Sequence, residues 1–229
     1  MSGFRNTLRD SVFIGYRFYI YLMRFIFNRL FMQQKLFDDT DQFDLPLDLL
    51  SYIPGFISPE EGNDLLRLLL QTVPWQQHKE VMYDREVVTP RLWAWNGDAR
   101  NDGGKTQPLP WLPELYNLKE RIERFSGEQF QGVLLNYYRD GNDSVAWHAD
   151  RDTIPGVKTA IASLSIGQER MFDFRHQQDH SKKHAILLQH GSLLLMQPDL
   201  QKEWEHRIAK STFPMRARIN MTFRKVMDK

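Results

Sequence analysis

The 229-residue chain contains no cysteine. Disulfides, thiolate ligation of a metal and a cysteine nucleophile are thereby excluded. Net charge is almost absent as well: 30 Lys and Arg against 29 Asp and Glu leave a formal +1 at pH 7. Global electrostatics therefore exert no strong pull toward nucleic acid, and any basic footprint must be local. There are no internal repeats and no low-complexity tracts. A long unbroken apolar run is also missing. The nearest approach, Val12 to Met32, is interrupted by Arg17, Arg24 and Arg29. A charge at a bilayer centre costs roughly 2.5–3.5 kcal/mol, so a simple spanning helix is not expected there.

What is present falls into two parts. Residues 1–50 read as an N-terminal extension and linker, and residues 51–229 as one domain with a single good core. Residues 1–37 hold six Lys or Arg and one acid, Asp10. The leading readings are a helix packed on the main domain, an unstructured extension, or a true start at Met32. An amphipathic helix on an anionic membrane, or a targeting segment, ranks below these. Asp38 to Asp48 is acidic and turn-rich and reads as the linker.

Ser58-Pro59-Glu60-Glu61 has the form of a helix start, with serine capping, proline in the first turn and Glu61 completing a capping box. The predicted helix carries Leu65, Leu66, Leu68, Leu69 and Leu70 and ends at Pro74. A second helix is predicted from Pro113 to Phe125, with Leu115, Leu118, Ile122 and Phe125 at helical spacing and Gly127 as its stop. From Gln129 onward short strands follow one another: 130–138, 145–150, 160–166, 171–174, 185–188, 192–196 and 217–224. Gly, Asp and Pro between them indicate a two-sheet β structure, with the leading helices covering one sheet.

Three residues carry the chemistry. His148 and Asp150 lie in Trp147-His148-Ala149-Asp150, and His206 lies in Trp204-Glu205-His206-Arg207. Two imidazoles and one carboxylate form the facial ligand set of a non-haem Fe(II) site with open positions. A strand alternates faces, so Arg218, Asn220, Thr222 and Arg224 share one face of the last strand. Two arginines on one face suit a dicarboxylate, because the guanidinium fork matches a carboxylate in two-point geometry. Asn136 and Tyr138 also share a face and can donate to a carboxylate. Each feature has a bland competitor. A lone His-x-Asp is commonly a pair of solvated side chains or a local hydrogen bond, and an Arg-x-Asn-x-Thr-x-Arg run is commonly a solvated strand face. Their joint occurrence in this order is what argues for a site.

The stretch from about Tyr52 to Val226 resembles the AlkB family of Fe(II)/2-oxoglutarate-dependent dioxygenases, in the branch that repairs alkylated nucleic-acid bases. The matching blocks include Thr89-Pro90-Arg91, Asn96-Gly97-Asp98, Pro110-Trp111-Leu112-Pro113, Asn136-Tyr137-Tyr138-Arg139-Asp140-Gly141, His148-Ala149-Asp150, Arg170 to Arg175, His190-Gly191-Ser192, Trp204-Glu205-His206 and Arg218 to Arg224. The resemblance implies a mainly β (α+β) double-stranded β-helix, a jelly roll, with N-terminal helices packed on one sheet. It implies Fe(II) held by His148, Asp150 and His206, with 2-oxoglutarate and O2 as cosubstrates. Arg218 and Arg224 would take the two carboxylates, with Asn136, Tyr138 and Asn220 lining the cosubstrate site. The implied reaction is oxidative demethylation of bases of the 1-methyladenine and 3-methylcytosine type, with release of formaldehyde, succinate and CO2.

The implied substrate side comprises Pro90, Arg91, Trp93, Trp95, Asp98, Asp152 and Arg170. A target base must leave the duplex or come from a single strand, and aromatic faces stack it at about 1–3 kcal/mol each. Trp75, Tyr83, Trp93 and Trp95 lie in the lid segment, where core packing is an equal reading. Asp152 would accept from a flipped base or merely orient an arginine. Arg170 would reach a phosphate or make a cross-strand ion pair. The expected partner is alkylated single- or double-stranded DNA, with RNA as an alternative. A monomer with no obligatory protein partner is expected, cytoplasmic or associated with nucleoid or nucleus. Two competing functions remain: an oxygenase of the same fold acting on a protein, lipid or other small substrate, and a binding module without turnover.

Overall fold

The computed structural model describes residues 49–226, apart from 83–84, 99–107, 151–153 and 155, and the backbone alone of 78–82 and 85–87. The expectations for residues 1–48 lie outside the described residues. The chain divides into two units, Met1–Gln42 and Phe43–Lys229, of which only the second is described. Among the described residues no helix is long and apolar enough to cross a membrane.

Helix α1 runs Pro59–Thr72, and the Ser58 hydroxyl accepts the backbone N–H of Glu61 at 3.2 Å. The capping box is only half made, because the Glu61 carboxylate pairs with Arg121 of the second helix. That helix, α2, runs Pro113–Ser126 and buries Leu115, Leu118 and Ile122 on one stripe. Gly127 ends it in the left-handed conformation, φ 76°, which favours glycine. Phe125, predicted to face inward, is 46% exposed and only edges against Phe56.

Among the described residues, eleven strands form two antiparallel sheets. They are β1 Leu50–Ile53, β2 Gln76–Met82, β3 Arg85–Gly97, β4 Gly132–Tyr138, β5 Val145–His148, β6 Ile161–Gly167, β7 Arg170–His176, β8 Lys183–Leu188, β9 Ser192–Met196, β10 Trp204–Ile208 and β11 Arg218–Arg224. A short helix, α3 at Leu200–Glu203, leads into β10. The large sheet has the order β1-β9-β6-β11-β4-β3-β2 and the small one β5-β10-β7-β8. The expected two-sheet jelly roll with few helices is therefore present. Strands β1, β2, β3 and β10 were not anticipated. The lid segment 76–97 is a hairpin continuing the large sheet, and His206 stands on a strand with the alternating burial of Trp204, His206 and Ile208.

Strand β11, between β6 and β4, is buried at every residue. Its two faces do different work. Ile219, Met221 and Phe223 join the core that includes Leu65, Leu69, Leu115, Leu118 and Ile122 of the helices. Burying such a side chain is worth about 1.5–3 kcal/mol. Arg218, Asn220, Thr222 and Arg224 take the opposite face by strand alternation. On that side a second core joins Tyr138, Leu194 and Met196 of the large sheet to Phe172, Phe174, Trp204 and Ile208 of the small one. The helices thus use one face of the large sheet and leave the other for the gap between sheets.

Candidate active site

The small sheet brings the two histidines together. His206 of β10 pairs in register with His148, the last residue of β5. Their rings stand 4.4 Å apart, and Asp150 lies two residues beyond His148. One ligand atom from each of the three lies within 4.8 Å of the others. The His148 and His206 Nε2 atoms are 3.8 and 3.9 Å from the Asp150 carboxylate. That is too long for a hydrogen bond. It suits donors that share one ion through bonds of about 2.1 Å. His148 Nδ1 lies 2.8 Å from the Ala146 carbonyl. Donation there fixes the tautomer and leaves Nε2 free for a metal.

Protonation states fit the same use. Burial pushes the His206 imidazolium down to a pKa of about 4, a shift that the Asp150 charge only partly opposes. Burial would raise the Asp150 carboxyl, but Arg224 beside it, with the two imidazoles, holds it at about 2. At neutral pH His206 is therefore neutral and Asp150 ionised, as metal ligation requires. Arg224 Nη2 donates to Asp150 Oδ1 at 2.5 Å. The Asp150 backbone N–H donates to the side-chain oxygen of buried Gln201 at 2.9 Å. The Phe172 ring lies 4.8 Å from that of His206 and forms an apolar wall.

Arg218 is 1% exposed and donates through Nη2 to the Ser165 hydroxyl at 2.9 Å. Its carbon Cζ stands 5.0 Å over the Tyr138 ring. Its Nε and Nη1 donors are buried with no hydrogen-bond partner. Burial lowers its pKa to about 10, so it remains a cation at neutral pH. A desolvated guanidinium with orphaned donors is suited to an anion. The residues present therefore fit both groups: an iron at the triad and a keto acid with two carboxylates along the β11 face.

The remaining expected site residues divide. Asn136 pairs with Asn220 across β4 and β11, and its Oδ1 accepts Arg91 Nε at 2.9 Å. Asn220 faces the gap, but its amide is engaged, donating to the Ser163 hydroxyl at 2.7 Å and accepting from Thr222 at 3.0 Å. It braces the sheet rather than offering a free donor. Pro90 and Arg91 lie where β3 bulges against β2, between the pairs Gln77↔Leu92 and Lys79↔Val88. A bulge tolerates proline and re-aims the next side chain. Trp93 pairs with Asn136 and shares its face. Asp98 is exposed.

Arg170, Trp95 and Trp75 are engaged within the fold. Arg170 is 4% exposed and donates to the Asp140, Asp143 and Ala209 carbonyls, at 3.2, 3.1 and 2.6 Å, so it ties loops together instead of meeting phosphate. Trp95 is 2% exposed, donates to the Asp98 carbonyl and lies over Gly132, where an added Cβ would come within 2.3 Å of its ring. Trp75 packs on Tyr137 at 5.2 Å, away from the gap. Asp152 and Tyr83 lie outside the described residues. Ser163, Ser165, Gln201 and Phe172 were missed. The two serines had a signal, since they alternate with Ala162, Leu164 and Ile166 along β6. Gln201, alone among polar neighbours, had none.

The chain matches the model of the 2OG-Fe(II) oxygenase superfamily over residues 49–224. It is 38% identical to alpha-ketoglutarate-dependent dioxygenase alkB homolog 3 of Rattus norvegicus, over 76% of this chain and 62% of that protein. The chain thus spans less than two thirds of that relative's length. It is 36% identical to DNA oxidative demethylase ALKBH2 of Mus musculus, over 73% of this chain and 76% of the relative. The fold matches the solved structure of OsALKBH1 with a TM-score of 0.57 at 18% identity, covering 77% of this chain and 97% of the other. With the ligand triad, the arginine strand and the jelly roll in one domain, these matches show that the chain belongs to the 2OG-Fe(II) oxygenase superfamily as an AlkB-like member.

Proposed function

We propose that this protein is an Fe(II)/2-oxoglutarate-dependent dioxygenase that demethylates alkylated bases in nucleic acid, and that residues 51–229 form its catalytic domain. The observation that carries the reading is the shared face of β11. Arg224 grips the carboxylate of the metal triad at one end, and Arg218 holds orphaned donors at the other. His148, Asp150 and His206 hold the iron. Arg224, beside the metal, takes the near carboxylate of 2-oxoglutarate. Arg218, with Tyr138, takes the far one. Asn136 turns its oxygen to Arg91, which leaves its amide nitrogen to donate to the cosubstrate.

When bound, the iron and cosubstrate couple decarboxylation of 2-oxoglutarate, with O2, to hydroxylation of an N-methyl carbon that departs as formaldehyde. The protein supplies position and dryness. Phe172 keeps water from His206, and Arg224 holds Asp150 ionised and oriented. On the substrate side, Arg91 and Trp93 flank the cosubstrate from β3. Trp93 is the aromatic best disposed to stack a base, and Asp98 stands exposed at the end of the same strand. The choice of nucleic acid is supported by the similarity to a DNA oxidative demethylase.

The test is formaldehyde release from oligonucleotides carrying 1-methyladenine or 3-methylcytosine, with Fe(II), 2-oxoglutarate and air. Demethylation dependent on both is expected. Succinate without demethylation would point to a protein, lipid or small-molecule substrate instead.

A further inference from the structure

The three metal ligands are unequally held. The His206 side chain is 6% exposed on a strand paired on both sides, and Asp150 is 11% exposed and fastened by Arg224 and Gln201. The His148 side chain is 36% exposed. It ends a four-residue edge strand that, among the described residues, pairs only with β10, through His206↔His148 and Ile208↔Val145 with an irregularity between. So short an edge strand has little of its own to fix how it rolls about its axis. Whatever fixes that roll also fixes the direction of the imidazole.

The residue before it faces the other way by strand alternation. Trp147 lies on the outer surface of the small sheet yet is half-buried. Arg207 of β10 and Arg175 of β7 bring their guanidinium carbons within 4.5 and 4.4 Å of its ring. Both arginines are themselves anchored. Arg207 donates to Asp173 at 2.8 Å, and Arg175 to Glu205 at 2.5 Å. These are direct cross-strand pairs, Glu205↔Arg175 and Arg207↔Asp173. The indole therefore reaches from the edge strand across β10 to β7, and its ring meets two guanidinium groups, each held by a cross-strand ion pair.

We propose that Trp147, clamped between Arg175 and Arg207, is a positioning residue for His148. Cation–π contact is strongest with tryptophan and strengthens when the cation is partly desolvated, as Arg175 is at 23% exposure. The clamp acts on the strand, on the face opposite the metal. Its role is to keep the most exposed ligand aimed at the ion. This inference rests on the metal reading of the triad and not on the nucleic-acid substrate.

The test measures metal affinity without turnover. Co(II), a redox-stable stand-in for Fe(II), is titrated anaerobically into the apo-protein and followed by its visible absorption. Outer partners of metal ligands contribute about 10–100-fold in affinity, and a contact acting through the neighbouring residue belongs near the lower end. Trp147→Ala is expected to weaken Co(II) binding about tenfold, Trp147→Phe to recover most of it, and Arg175→Gln with Arg207→Gln to reproduce the loss with the indole still present. The melting temperature of each apo variant identifies any that has merely unfolded. Wild-type Co(II) affinity in folded Trp147→Ala, or in the double arginine variant should Trp147→Ala not fold, overturns the proposal. If even the wild-type chain fails to bind Co(II), the triad reading fails first, and the two failures are thereby distinguished.

Discussion

Replacing Arg218 with methionine should weaken 2-oxoglutarate binding while leaving the empty protein at least as stable. The side chain is 1% exposed and fully charged, yet its fold partners are only the Ser165 hydroxyl and Tyr138 among the described residues. Two donors, Nε and Nη1, have no partner until a carboxylate arrives. A hydrogen bond to a charged group is worth about 1.5–3 kcal/mol, so two come to about 3–6 kcal/mol. At 1.4 kcal/mol per tenfold, the 2-oxoglutarate requirement should rise about 10²–10⁴-fold. Stability should respond with the opposite sign. Burial lowers the Arg218 pKa, which means that the fold holds the charge at a cost. Replacing a buried, underpaired ion by an apolar side chain of similar volume is commonly neutral or stabilising. Succinate formation against 2-oxoglutarate concentration gives the first quantity, and thermal unfolding of apo-protein gives the second. An unchanged requirement would show that the arginine does not meet the cosubstrate. A strongly lowered melting temperature would show that its donors are satisfied within the fold.

Three further outcomes are expected. Asp150→Ala or His206→Ala should abolish demethylation while circular dichroism stays native-like, and appreciable residual turnover in either would refute these ligands. Acid should destabilise the apo-protein in two windows. His206 has a pKa of about 4 when folded, against about 6.5 unfolded, so the unfolded chain holds the extra proton between those values and stability falls as pH drops through them, by up to about 3 kcal/mol. The Asp150 contribution, present above about 3.8, is lost as pH falls toward its folded value of about 2. Urea unfolding at several pH values should show the first window flatten in His206→Gln, and an equal slope in both proteins would contradict the assignment. Gly132→Ala should cost about 1–3 kcal/mol in urea unfolding, because the new methyl would stand 2.3 Å from the Trp95 ring; a neutral result would mean that the ring yields.

Much of this site could be read from strand parity. Alternation alone grouped Arg218 with Arg224 and Asn136 with Tyr138, and the register Arg218↔Tyr138 and Asn220↔Asn136 unites the two groups on one surface. What parity could not supply was partnership. Asn220 and Arg170 look available in a sequence, but Asn220 is engaged by Ser163 and Arg170 by three carbonyls. Such bonds join residues 27 to 57 positions apart, and no local pattern reports them. The strands of the lid segment were not legible for another reason. Thr89-Pro90 argues against a continuous strand, yet a bulge absorbs the proline and β3 runs on to Gly97. Its tryptophans then separate by fit, Trp95 over Gly132 and Trp93 opposite Asn136. Gln201, which holds the backbone of a metal ligand, carries no sequence signal at all.

The most direct test of the central claim is an anaerobic titration of the full chain with Fe(II) and 2-oxoglutarate, followed by a methylated single strand and then air. The account predicts saturable binding of both, 2-oxoglutarate binding that depends on the metal, and formaldehyde and succinate in equal amounts once oxygen enters. Binding of both without formaldehyde from any methylated strand would contradict the nucleic-acid reading, and failure of 2-oxoglutarate to bind the iron-loaded protein would contradict the site itself.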